Sequence, residues 1–152
     1  MSFFSRLFKA NPPPPAPILH DGLGELIGSR ALNGDVCSWE TALPVDTPIG
    51  ALKVSIEGGH DGPTQQHFEL WEAIAENLAQ LRVEANPFLE GWLDQIEPET
   101  SAESLSPARI YVWEETESEP EWSLIFLHAA KLWEFTVTFV GMNADHTDFD
   151  RL

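Results

Sequence analysis

Phe68, Trp71, Ile74, Leu78 and Leu81 recur at spacings of three, three, four and three, a helical stripe set between two stretches of period-two alternation. That arrangement constrains the chain more than any other feature: an amphipathic helical layer must cover a sheet built from both flanks. Glu69, Glu72 and Glu76 fall away from the stripe, towards solvent. The run Gly58-Gly59-His60-Asp61-Gly62-Pro63-Thr64 opens the helix, because its glycines permit a tight turn and Thr64 or Asp61 can cap the first free amides. Asn86-Pro87 predicts a break, with Phe88, Leu89, Trp92, Leu93 and Ile96 continuing as a second, shorter helix.

Three strands are expected before the helix: Gly22 to Gly28, Val36 to Leu43 and Ile49 to Glu57. In the second, Cys37, Trp39, Thr41 and Leu43 share a face by the period of two, which makes Cys37 a buried small side chain and not a nucleophile. In the third, Leu52, Val54 and Ile56 point inward. Three more strands are expected afterwards, at Ile110 to Trp113, Trp122 to His128 and Trp133 to Val140. The result is an α+β fold, a mostly antiparallel sheet in β-β-β-α-β-β-β order with helices packed on one face. A chain of 152 residues makes one such domain, assigned to 21–152. Residues 1–20 form a leader: Phe3, Phe4, Leu7 and Phe8 share a side of a short amphipathic element, and Asn11 to Pro17 reads as a polyproline spacer.

Charge narrows the function. The chain has 25 acidic residues against 8 Lys plus Arg, a formal −17. Arg6 and Lys9 lie in the leader, so Arg30, Lys53, Arg82, Arg109, Lys131 and Arg151 are the only bases of the domain. No phosphate-tracking stripe can be assembled from these, which argues against nucleic acid and for a basic protein partner. A membrane could be held only weakly, through residues 1–9. A single cysteine excludes an internal disulfide and a cysteine-rich zinc site, and the reducing cytoplasm is the expected compartment. Nothing in the sequence sets the oligomeric state.

No catalytic, cofactor or metal motif is complete. His60, Asp61 and His67 surround the helix start, and Asp145-His146-Thr147-Asp148-Phe149-Asp150 gathers donors near the C-terminus, but neither has a ligand spacing of a known site, and the second reads as a solvated tail. The glycine-rich runs lack phosphate-loop spacing. A hydrolase or metal-dependent enzyme centred on His60, Asp61 and His67 is one alternative to a binding protein. A peripheral adaptor using the leader is another.

The segment from Asp94 to Glu121 is the most acidic, with Arg109 its one base. Trp113 and Trp122 border its densest part, Glu114, Glu115, Glu117, Glu119 and Glu121. Aromatic anchors rimmed by charge compose many protein interfaces, so these seven residues are the candidate partner-binding set. The competing account puts the tryptophans in the core and leaves the glutamates to guard a hairpin edge against further strand pairing.

Gly22-Leu23-Gly24-Glu25-Leu26, Trp39-Glu40, Ile49 to Gly58 and Gly62-Pro63 before the helix, then Ile110-Tyr111-Val112-Trp113, Trp122 to Leu127 and Trp133 to Phe139, give the chain a layout that resembles small bacterial domains encoded beside polymorphic toxins as immunity proteins. The resemblance covers residues 21 to about 142. It implies a binding protein, and it brings no catalytic residues with it.

Overall fold

The computed structural model describes residues 13–30, 37–113, 119–128 and 130–152. Among them are nine strands and one long helix, in the order β1 (Ile18–His20), β2 (Gly24–Arg30), β3 (Cys37–Thr41), β4 (Val45–Thr47), β5 (Gly50–Gly58), α1 (Gln65–Ile96), β6 (Ser106–Val112), β7 (Glu121–His128), β8 (Trp133–Val140) and β9 (Asn143–Arg151). A 3-10 turn at Ala102–Ser104 leads into β6. The strands lie side by side as β1-β2-β3-β5-β6-β7-β8-β9, with β4 folded back on β5. Every pairing is antiparallel except β5 with β6, the two strands that α1 connects. A crossover of that length is what a parallel pair requires.

The expected six strands are all present, with ends shifted by a few residues, so the α+β class with a mostly antiparallel sheet holds. Three further strands were not expected. β1 and β4 have three residues each, too short for alternation to register. β9 occupies the run read as a solvated tail, and it pairs with β8 along its whole length. β1 also lies inside the segment assigned to the leader, and Pro15 just before it is buried. The ordered fold therefore begins before residue 21. The amphipathic element at Phe3 to Phe8 lies outside the described residues.

A single helix replaces the expected pair. α1 has 32 residues and runs through Pro87 without ending. Pro87 removes one backbone donor, but Leu81, Ala85, Leu89 and Leu93 keep the stripe facing the sheet, all at 2% exposure or less. Burying that face outweighs one missing hydrogen bond. Thr64 is the N-cap, and its hydroxyl accepts from His67 N–H while His67 Nδ1 accepts from Thr64 N–H at 2.9 Å.

At 1.5 Å per residue such a helix is about 48 Å long, whereas eight strands abreast span about 34 Å. It crosses the sheet from edge to edge. Near its start Phe68 stacks on His20 of β1 at 4.3 Å, and near its end the Trp92 indole N–H donates to Thr147 O of β9 at 3.3 Å. Beneath it lie Leu26, Trp39, Val54, Ile110, Leu124 and Val137, one from each successive strand from β2 to β8 and all buried. Cys37, Trp39 and Thr41 face this core as alternation requires, whereas Leu43 lies beyond β3 and is 77% exposed. No helix among the described residues is long and apolar enough to cross a membrane.

Candidate functional site: the open face of the sheet

With α1 on one side, the other side of the sheet carries no helix among the described residues. Alternation decides what it displays. On β6, Ile110 and Val112 go to the core, so Arg109, Tyr111 and Trp113 share the open side. Register brings Glu40, Lys53, Ser55 and Glu57 beside them from β3 and β5, and Glu121, Ser123 and Ile125 from β7.

Two polar networks organise this surface. In the first, Glu40 takes Lys53 Nζ at 3.3 Å, Ser55 Oγ at 3.0 Å and, more loosely, Arg109 at 3.9 Å. Partial burial pushes the Glu40 carboxyl up, but the hydrogen bonds from Ser55 and Lys53 and the charges of Lys53 and Arg109 outweigh it and hold the group below its usual range. In the second, Tyr111 Oη donates to Glu57 at 2.8 Å. Burial, then the Glu57 carboxylate, raises the phenol to about 12, so it remains a donor at neutral pH. The Tyr111 ring lies against Trp113 at 4.4 Å, and the Trp113 indole N–H points to Ser123 Oγ at 3.4 Å, which in turn meets Thr138 Oγ1 at 3.3 Å.

The seven candidate partner-binding residues separate accordingly. Trp113 is 42% exposed, on the open face at the end of β6. Glu119 and Glu121 are exposed at the base of the β6–β7 hairpin, and Glu121 O accepts from Trp113 N–H at 3.3 Å. Trp122 has no exposed surface. It pairs with Val112 and Phe139, stacks on Phe139 at 4.2 Å and donates its indole N–H to Gly141 O at 2.7 Å. A side chain enclosed in this way has no surface to offer, so Trp122 belongs to the core, and Trp113 is the tryptophan of the pair that reaches solvent. Glu114, Glu115 and Glu117 lie outside the described residues.

Tyr111 and Glu57 were not among the candidates. The signal for Tyr111 was present, since Arg109, Tyr111 and Trp113 alternate with Ile110 and Val112; alternation with Leu52, Val54 and Ile56 likewise turns Lys53, Ser55 and Glu57 outward, and strand pairing brings Glu57 to Tyr111.

The residues proposed for a metal-dependent enzyme are not gathered into a site. His60 and Asp61 are exposed on the turn before α1, whereas His67 is 3% exposed and uses Nδ1 in the helix cap. On β9, His146 sits 2.8 Å from Asp145 and 3.8 Å from Asp148 in solvent. Among the described residues no three His, Cys, Asp or Glu side chains converge as a metal-binding group. Shallow depressions flank the Lys53 and Arg109 pair, one lined by Ile27, Ser29, Glu40 and Thr41 and another by Ala108, Ile125, Leu127 and Glu134. Both are half open to solvent, and at about 190 and 210 Å³ they are smaller than a usual small-molecule pocket.

No protein family, curated protein or solved structure matches the chain.

Proposed function

We propose that this protein is an acidic protein-binding module that masks a basic surface of a partner, in the manner of the immunity proteins of polymorphic toxin systems. The observation that carries the reading is the open sheet face, where a fixed and exposed Trp113 stands between the register positions of Glu57 and Glu121. An exposed aromatic held in one orientation loses little freedom on binding, which suits an anchor. The charge of the whole chain would steer a basic partner towards it. The free, buried Cys37 accords with work in a reducing cytoplasm.

Purification of the tagged protein from its own host at low and at high salt, with mass spectrometry of what is retained, tests this. A stoichiometric basic protein is expected at low salt and a weakened one at high salt, because exposed charges are screened beyond about 8 Å at physiological ionic strength. Replacing Glu114, Glu115, Glu117, Glu119 and Glu121 by lysine should abolish retention while the fold survives. Retention that ignores both salt and charge reversal would overturn the proposal.

A further inference from the structure

We infer that Tyr111 and Trp113, together with Glu57 and Glu121, form a seat for one basic side chain, an arginine, presented by a protein partner. The inference rests on the reading of this protein as a binder of basic partners and goes further, by naming the group recognised and the place.

Trp113 is the only aromatic among the large apolar side chains that stand exposed in the described residues. It is fastened by the Tyr111 ring, by Ser123 Oγ and through its own backbone N–H to Glu121 O. With the indole N–H directed at Ser123, what it offers to solvent is the ring, and an aromatic face attracts cations, the planar guanidinium above all. Charge stands on both sides. The β6–β7 register sets Glu121 across from Trp113, and the β5–β6 register, which pairs Ile56 with Val112, carries Glu57 to the other flank. Tyr111 anchors Glu57 there at 2.8 Å. Among the described residues, Lys53 and Arg109, the bases nearest on the same face, are drawn to Glu40. An aromatic face between two carboxylates is chemistry matched to arginine, and ill matched to an anion or a neutral amide.

The test is NMR of the indole N–H resonances of the full chain, with Trp113 assigned by its loss in Trp113→Phe, titrated with the blocked peptide Gly-Gly-Arg-Gly-Gly and with its citrulline twin. The Trp113 resonance should move with the arginine peptide, the buried Trp39 and Trp122 resonances should not, and citrulline should leave all three in place. Glu121→Gln should weaken the response by about two- to fivefold. A Trp113 resonance that stays still, or that answers citrulline equally, overturns the seat. If charge reversal at the hairpin abolishes partner retention while this resonance stays still, the acidic-module reading stands and the seat alone falls. If the resonance moves while no partner depends on the hairpin charges, the seat stands and that reading falls.

Discussion

Gly28 lies in the middle of β2, in ordinary extended backbone, where alanine would be conformationally acceptable. Space makes it glycine. A β-carbon there would stand 2.8 Å from Pro15 Cγ and 3.0 Å from the Trp39 ring. Pro15 is buried while its neighbours Pro14 and Ala16 are exposed, so this one proline clips the segment before β1 onto Trp39. Gly28→Ala is expected to cost about 1–3 kcal/mol, the usual range for overpacking a filled site, as measured by urea denaturation. Gly28→Ala combined with Pro15→Ala should recover part of that loss, since the shorter side chain vacates the contested volume. A neutral Gly28→Ala would mean that Pro15 is not held against the sheet. The parity of neighbouring residues also explains how two tryptophans that border one hairpin came to opposite fates. Trp122 pairs with Val112 and so turns inward, while Trp113, one step further along β6, turns out.

The helix shows where local rules yield to packing. Asn86-Pro87 is a sound reason to end a helix, yet α1 continues because the residues on either side keep burying apolar surface in phase. Pro87 itself faces solvent, so replacing it removes only the backbone penalty. Pro87→Ala should stabilise the protein by about 1–3 kcal/mol, read as a higher urea midpoint with unchanged slope. A lower midpoint would show that the proline packs usefully. Strands with clean alternation, such as Trp133 to Val140, were legible residue for residue. β9 was not, because Asn143 to Arg151 has only Ala144 and Phe149 as apolar residues, and a register shift beside Phe139 separates their phases. Its carboxylates suggested a tail, whereas on a sheet edge they discourage pairing with another chain. The candidate site was legible as composition, aromatic residues beside acids, but which aromatic was exposed depended on which strands paired.

At the scale of the whole molecule, 25 acids against 8 bases leave more repulsion than attraction among surface charges. Salt screens both, and the larger sum wins. Thermal unfolding should therefore shift upward by about 3 °C between low salt and 0.5 M sodium chloride, the equivalent of about 1 kcal/mol for a chain of this size. A downward shift would show that the Glu40 cluster and similar pairs outweigh the repulsion. The same field that burdens the folded chain gives it reach towards a basic partner, and both effects should fade over the same range of ionic strength.

The single parallel pairing, β5 with β6, divides the sheet into two antiparallel meanders that meet at one seam. Each half is made of contacts between strands close in the chain, with only the short β4 set between β3 and β5, and such contacts form quickly. The seam joins strands separated by all of α1, and loop closure of that length is slow. On sequence separation alone the seam, four residue pairs from Lys53 with Arg109 to Ile56 with Val112, is expected to close after the pairings within each half.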